Sequence, residues 1–400
     1  MDYTALDQPQ IEAIVARELV IEDITGGGPK LGFLMRFRGR LRMEDSVGAY
    51  DRLCERLAPF GLTPLFRWDE QRHAVLLVEK PPAPKEGNPL LNLVFFLVTL
   101  LSVFFVGVTN SGLTELPASP LQALWELLKA GGPYTLALLA ILGAHEFGHY
   151  LVARAHGVHL TLPFFIPMPL PGSFGTMGAF INMKEHPKNR RDLLDIGLAG
   201  PLAGVAVAIP VLLLGLALSP VGPLPVERGK DISMIMEGNS LLYLLLKLVV
   251  HGQLLPAPAT YAGMAPWLYW LRYFFTGQPF PFGGMDVTLH PVAWAGWAGL
   301  LVTSINLIPA GQLDGGHALY VLVGRKVARR LLPVILVALV LLGFAWNGWW
   351  LWAGLIFFLG RYYAEPRDEI TPLDPAHRAL AVLGIVLFFL VFIPVPLTLF

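Results

Sequence analysis

The segment HEFGH at residues 145–149 holds side chains that could bind a metal ion and assist hydrolysis. On a helix, His145 and His149 are four residues apart, so both imidazoles project from one face and can share a zinc ion. Glu146 lies about 100° around the helix, where it could take a proton from a zinc-bound water and later give it to a leaving amine. The segment therefore predicts a zinc-dependent hydrolase, with a chance match as the alternative.

A catalytic zinc ion usually has three protein ligands, and the segment NLIPAGQLDGGH at residues 306–317 offers the third. Asp314 would supply a carboxylate oxygen, and Gly315 and Gly316 would let the backbone come close. The alternative is that Asp314 caps the helix that follows. His317 either supports the metal ligands or only begins that helix.

Both segments lie in a chain with the composition of a membrane protein. Hydrophobic residues make up 54% of the sequence and charged residues 14%, against roughly a quarter charged in ordinary soluble domains. Apolar stretches near the roughly 20 residues needed to span a bilayer lie at 90–108, 134–155, 193–219, 291–311, 331–346, 349–360 and 380–397. They predict a polytopic α-helical membrane protein with six to eight membrane segments. Ionisable groups inside such segments are costly, so those of the two motifs are expected to be functional.

The first part of the chain has a different composition, since nearly half of all charged residues lie within residues 1–90. Period-two patterns at 31–41, 62–68 and 73–80 predict strands, and the spacing of apolar residues over 45–61 predicts a helix. We therefore expect a small N-terminal α/β soluble domain over 1–86, followed by a membrane domain over 87–400. The proline-rich stretch 81–89 between them is typical of a stiff linker.

Basic residues predict the orientation in the membrane. The loop before the third span contains Lys184, Lys188, Arg190 and Arg191, and a second basic cluster follows Gly324. Positively charged loops favour the cytoplasmic side. We therefore expect an integral, multi-pass protein of the cell membrane, with its N-terminal domain in the cytoplasm and its C-terminus on the far side.

Composition argues against nucleic-acid binding and excludes two features that need several cysteines. The formal net charge is zero, so there is no basic field to attract nucleic acid. The single cysteine, Cys54, permits neither an intrachain disulfide nor a cysteine-based zinc site.

The pair of motifs resembles the site-2 protease family of intramembrane zinc metalloproteases. That family combines HExxH on one span with N-x-x-P-x-x-x-x-D-G on a later span, and this sequence has HEFGH and NLIPAGQLDGGH in that order. GLAGPLAG at 197–204 and PGSFGTMGAFI at 171–181 also resemble the family, the latter most closely its chloroplast-type and related bacterial members. No PDZ module is recognisable in 220–290, where many bacterial members insert one.

The resemblance implies one zinc ion per chain, held by His145, His149 and Asp314, with Glu146 as the catalytic residue. It implies that Asn306 supports the substrate or the transition state. The implied activity is cleavage of transmembrane protein substrates near the cytoplasmic side of the bilayer, often in regulated intramembrane proteolysis. The expected partners are such a substrate and the lipid bilayer, and homo-oligomerisation is left open.

The stretch PGSFGTMGAFI is too rich in glycine to favour a helix. We expect it to form a hairpin whose strand edge pairs with an extended substrate, with Gly175 and Gly178 among the substrate-binding residues; a plain loop is the alternative. Gly197, Gly200 and Gly204 have the spacing that allows close helix packing.

Two other classes of function fit the same ligands. A zinc transporter would also place His, Glu and Asp within spans, although along a path rather than on two segments. A catalytically idle scaffold of the same fold is the second alternative.

Overall fold

The structure is a computed structural model that describes residues 7–28, 31–82, 87–170, 172–227 and 235–399. Its N-terminal part contains two helices and four strands: α1 (Gln8–Val15), β1 (Leu19–Gly28), β2 (Phe33–Leu41), α2 (Ser46–Leu57), β3 (Leu62–Asp69) and β4 (Arg72–Glu79). The sheet is antiparallel with the order β1-β2-β4-β3. Apolar side chains of both helices join those of the sheet in one core.

The sequence pattern predicts the last four of these elements but not α1 and β1. The register of β1 shifts between Ile21 and Asp23, which is the mark of a bulge. A bulge interrupts the strict alternation of apolar and polar residues by which a strand is recognised. The N-terminal unit is therefore α/β, as expected, but larger than the predicted β-α-β-β unit.

Three helices in the described part of the chain are long and apolar enough to cross a membrane: α3 (Pro89–Asn110), α4 (Pro120–Ala155) and α5 (Arg190–Ala217). Helix α4 is longer than the predicted span 134–155, because it continues through Pro133. Between α4 and α5 lies an antiparallel hairpin of β5 (Phe164–Met168) and β6 (Gly175–Phe180). The glycine-rich stretch thus forms a strand, as predicted, and Pro171 at its start lies outside the described residues.

The insertion after α5 is built from short elements: β7 (Val221–Pro223), β8 (Ile235–Glu237), α6 (Leu241–His251), α7 (Pro266–Thr276) and β9 (Met285–Val287). Strand β7 pairs with β9. The buried ammonium of Lys247 on α6 lies 2.9 Å from the Glu237 carboxylate and 3.3 Å from that of Asp286. This charge cluster joins the two halves of the insertion.

The remaining elements are α8 (Pro291–Asn306), α9 (Asp314–Leu342), α10 (Gly348–Leu359), α11 (Pro375–Val391) and β10 (Leu397–Leu399), which pairs with β8. The predicted fourth span, 291–311, was expected to be one segment, but its helix ends at Asn306. Pro309 interrupts helical hydrogen bonding, and Gly311 has a left-handed φ of +57°. A second break lies at Gly324, where non-helical angles divide α9 in two.

The N-terminal unit packs against residues 361–374, which we call the connector because they join α10 to α11. The backbone N–H of Phe66 donates to the Arg367 carbonyl at 2.9 Å, and that of Glu369 donates to the Phe66 carbonyl at 3.1 Å. Ile370 of the connector is part of the N-terminal core. The same connector contributes Tyr363 to the cavity described next.

Candidate metal centre

Three predicted ligands meet at one point although they come from two distant helices. His145 and His149 project from α4, and Asp314 is the first residue of α9. His145 Nε2 lies 3.3 Å from Asp314 Oδ2, and His149 Nε2 lies 3.4 Å from the same oxygen. The two Nε2 atoms are 3.3 Å apart. The donor atoms therefore form a nearly equilateral triangle.

This triangle has the size of a zinc site. Zinc binds imidazole nitrogen at about 2.0–2.1 Å and carboxylate oxygen at about 2.0–2.2 Å, so tetrahedral ligand atoms lie about 3.3–3.5 Å from one another. Among the described residues, no other set of three or more His, Cys, Asp or Glu side chains is arranged to hold a metal ion. Two nitrogens and one oxygen are the three protein donors typical of a catalytic zinc site, whereas a structural site usually has four.

The ring of His149 is held in the orientation that a metal ligand requires. Its Nδ1 lies 2.7 Å from the Ile196 carbonyl of α5. A carbonyl only accepts, so Nδ1 carries the proton and the Nε2 lone pair faces the other ligands. The Nδ1 of His145 is buried without a hydrogen-bond partner in the described part of the chain.

Glu146 and Asn306 line the same cavity, which has a volume of about 440 Å³. Glu146 is 6% exposed, so its carboxylate is shielded from bulk water yet accessible from the cavity. Asn306 is the last residue of α8, and its Nδ2 lies 3.4 Å from His145 Nε2. The structure therefore brings Glu146 and Asn306 together with the three ligands.

The two glycines predicted to bind substrate lie elsewhere. Gly175 has a φ of +81° and packs against α3, since a Cβ there would lie 2.5 Å from the Val103 Cα. Its carbonyl accepts a hydrogen bond from Ser102 Oγ at 2.6 Å. Gly178, with a φ of +97°, is buried, and a Cβ there would lie 4.0 Å from the Val302 side chain. Neither lines the cavity; the hairpin reaches it through Ala179 and the residues that follow.

The glycines of GLAGPLAG have a more specific role than close helix packing. A Cβ on Gly200 would lie 2.1 Å from His149 Nε2, and one on Gly204 would lie 3.2 Å from His145 Nδ1. A Cβ on Gly197 would lie 3.0 Å from the Cβ of His317. Each glycine of this α5 stripe therefore leaves room for one histidine of the cavity.

Two cavity residues were missed or left undecided by the sequence. His317 lines the cavity and is 5% exposed, and its place opposite Gly197 could not be predicted from spacing along α9. Tyr363 comes from the connector, which carries no motif.

His290 of the insertion region is the N-cap of α8, where its Nδ1 accepts from the Val292 N–H at 3.3 Å.

Known proteins resemble this chain over the region that contains the cavity. The profile of Peptidase family M50 matches residues 133–345. The protein named "Probable zinc metalloprotease EGY2, chloroplastic" from Arabidopsis thaliana is 36% identical over 273 residues, covering 68% of this chain and 43% of the relative. Its namesake from Oryza sativa subsp. indica is 32% identical over 272 residues, covering 68% and 44%. "Probable zinc metalloprotease EGY1, chloroplastic" from Arabidopsis thaliana is 28% identical over 336 residues, covering 80% and 55%. The chain spans about half the length of the curated relatives it matches.

Proposed function

Because the chain belongs to peptidase family M50, the site-2 protease family, we propose that it is a zinc metalloendopeptidase that cleaves transmembrane protein substrates. The triangle of His145, His149 and Asp314, beside Glu146 in one cavity, carries this proposal. The relatives are named zinc metalloproteases, which supports the same chemistry.

In this proposal His145, His149 and Asp314 hold the zinc ion. Bound there, zinc would supply Lewis-acid chemistry toward a water molecule and the scissile carbonyl. Glu146 accepts a proton from the attacking water and transfers it to the amine as the peptide C–N bond breaks. The Nδ2 of Asn306 lies on the same side of the cavity as His145 and donates a hydrogen bond to the substrate carbonyl.

The hairpin supports an extended mode of substrate binding. Residues 179–187, which begin with the last two residues of β6, line the cavity. A peptide bond must leave its helix before a protease can reach it. A substrate segment that pairs with the edge of this region would be held extended beside Glu146. Gly178 itself is buried and Gly175 packs against α3, so the residues after Gly178 would form this edge.

We further propose a chain organised as a soluble domain over 1–86 and a membrane domain over 87–400, with the cavity opening on the side of the soluble domain. The connector both binds the N-terminal unit and lines the cavity, which supports this arrangement. We propose seven membrane crossings. They are α3, α4, α5, α8 with the first turns of α9, the rest of α9, α10 and α11. An odd number leaves the C-terminus opposite the N-terminal domain, as the basic loops predict.

The location within the cell is also proposed. The family and the three long apolar helices make this a membrane protein, and the basic loops favour a cell membrane with a cytoplasmic N-terminal domain. The relatives are named chloroplastic, so fractionation of a tagged full-length chain should separate a cell membrane from an organellar one. We also propose that the protein acts in regulated intramembrane proteolysis and can form homo-oligomers.

The decisive experiment compares the purified wild-type chain with Glu146→Gln on a helical substrate in detergent. The substitution removes the proton acceptor but no ligand, so we expect unchanged zinc content and a loss of cleavage of at least about 100-fold. Cleavage at the wild-type rate by Glu146→Gln would contradict the mechanism. Zinc uptake into vesicles that persists in Glu146→Gln would favour a transporter, and a wild-type chain with zinc but no cleavage would favour an idle scaffold.

A further inference from the structure

His317 is buried in the wall of the cavity, and the mechanism proposed above gives its imidazole no role. It lies in the first turn of α9, three residues after Asp314. It is 5% exposed, and its Nδ1 is buried without a hydrogen-bond partner. Within the described ranges, its ring makes neither a hydrogen bond nor an ion pair with Asp314. A buried imidazole without partners is costly, and such groups in native structures usually have a functional reason.

The glycines of the α5 stripe leave room for His317 in the same way as for the two histidine ligands. Gly197, Gly200 and Gly204 face His317, His149 and His145, respectively. If His317 only filled space, an apolar side chain opposite Gly197 would do so without an unpaired polar atom. The close fit to α5 also restricts the ring's movement, which favours a group that must keep one orientation.

We propose that His317 contacts the substrate and donates a hydrogen bond from its Nε2–H, and not from the enclosed Nδ1, to the carbonyl oxygen of the scissile peptide. This inference rests on the proposed peptidase function. As water adds to the carbonyl carbon, the π electrons of the C=O bond move to the oxygen and the water proton goes to Glu146. His317 keeps its proton and stabilises the new negative charge. When the C–N bond breaks, the oxygen regains its double bond and Glu146 gives its proton to the amine.

The position of His317 fits this role better than a role in holding the metal. It lines the cavity with Glu146 and Asn306, yet no hydrogen bond or ion pair ties it to Asp314 in the part of the chain that the structure describes. A buried donor held in one orientation stabilises charge that appears only in the transition state. Such a group should affect turnover more than the binding of zinc or of the ground-state substrate.

The test uses the full-length chain in detergent with a fluorogenic transmembrane peptide, comparing wild type, His317→Leu and His317→Gln. For His317→Leu we expect unchanged zinc content, a nearly unchanged KM and a kcat lowered by about 100- to 1000-fold. His317→Gln keeps an N–H donor and should recover part of this loss. A phosphinic peptide, which mimics the tetrahedral transition state, should bind His317→Leu more weakly by the same factor as the fall in kcat/KM.

Gly197→Ala provides a second route to the same group. Its new Cβ would press on the Cβ of His317 at 3.0 Å, so we expect a lower kcat with zinc retained. Gly143→Ala on α4 is the matched control, because a Cβ there meets nothing within 4 Å.

The outcomes separate this inference from the proposed function. Wild-type kcat in His317→Leu, or loss of its zinc, would overturn the role of His317 while cleavage by the wild type still supported a peptidase. A fall in kcat without weaker binding of the phosphinic peptide would also overturn it. A wild-type chain that does not cleave, or a Glu146→Gln chain that does, would instead overturn the proposed function.

Discussion

At the scale of single residues, the proposed zinc site depends on donor atoms from residues that are far apart in the sequence. His145 and His149 share a helix face through local geometry, but Asp314 is supplied by another helix. Its Oδ2 lies 3.3 and 3.4 Å from the two Nε2 atoms. The carboxylate thus completes the triangle that two histidines alone would leave short of a catalytic ligand set.

Replacing Asp314 by Asn should release the metal. The amide is almost isosteric but has no negative charge to offset that of the cation. Losing a residue that only orients a metal ligand lowers metal affinity by up to about 100-fold. Because Asp314 is itself a proposed ligand, we expect zinc affinity to fall by more than this, and cleavage to fall with it. Metal analysis after dialysis against a weak chelator measures this. Asp51→Asn, at an exposed ion pair with Lys188, is the control that should keep its zinc.

At the scale of elements, α5 decides how closely the histidines of the cavity can approach a neighbouring helix. Its GLAGPLAG segment presents three glycines to three histidines. Close packing of small residues is a common way of joining membrane helices, but here the space is occupied by imidazoles. A methyl group on this face would therefore displace a histidine of the cavity, and so affect the site, before it weakened helix packing.

Gly200→Ala should accordingly lose zinc. Its Cβ would lie 2.1 Å from His149 Nε2, so the ring must leave its position in the triangle. We expect zinc content and cleavage to fall together. The control Gly143→Ala should retain both and add up to about 1 kcal/mol of helix stability. Normal zinc content in Gly200→Ala would show that α5 can shift to accommodate the methyl group.

A second prediction at this scale concerns the link between the start of β1 and α2. Glu18 is 5% exposed and accepts hydrogen bonds from Arg52 at 3.0 and 2.8 Å and from Arg56 at 3.1 Å. The hydrogen bonds from Arg52, reinforced by the charges of both arginines, hold the pKa of the Glu18 carboxyl below its ordinary value of 4.5. A lowered pKa in the folded state means that folding favours the ionised form.

The contribution of Glu18 to stability is therefore fully present above a pH of about 4.5 and is lost as the pH falls through the folded-state pKa. Hydrogen exchange of the N-terminal unit in the full chain, corrected for intrinsic rates, should show this loss. Glu18→Gln should be less stable at neutral pH and should lack this part of the acid dependence. Glu55→Gln, at an exposed position of α2, should behave as wild type; a wild-type acid profile in Glu18→Gln would contradict the assignment.

At the scale of the whole molecule, the connector joins the N-terminal unit to the cavity. Phe66 pairs with its backbone at residues 367–369, Ser46 Oγ lies 2.9 Å from Thr371 Oγ1, and Tyr363 lines the cavity. Since every one of these contacts joins residues far apart in sequence, the position of the N-terminal unit could not be predicted from any motif.

Removing the side chain of Arg67 should loosen this docking. Arg67 donates to the Arg367 carbonyl at 2.9 Å and lies 3.8 Å from the Glu369 carboxylate. Hydrogen bonds and weak ion pairs of this kind are worth about 1–2 kcal/mol together, so Arg67→Ala should speed hydrogen exchange of the connector roughly tenfold. Arg72→Ala, which loses only an exposed ion pair with Glu22, is the control. Unchanged exchange in Arg67→Ala would mean that backbone pairing alone holds the connector.

The sequence by itself determined the parts of the protein that depend on local order. The family follows from two motifs, the α/β character of the N-terminal unit from its periodicity, and the membrane class from its composition. His145 and His149 share a helix face because four residues make about one turn. Glu146 follows His145 directly, so it lies about 100° around the same helix.

What only the tertiary structure decided are the contacts between distant segments. It placed His317 opposite Gly197, directed Gly175 toward α3 instead of the cavity, and added Tyr363 from the connector. The motifs predicted that Asp314 and Asn306 act with the histidines, but not the contacts between them. None of these has a periodic signal, because the distance between two packed helices depends on side-chain volumes across the interface and not on spacing along one chain. The sequence therefore named the chemical groups, and packing decided which of them share one cavity.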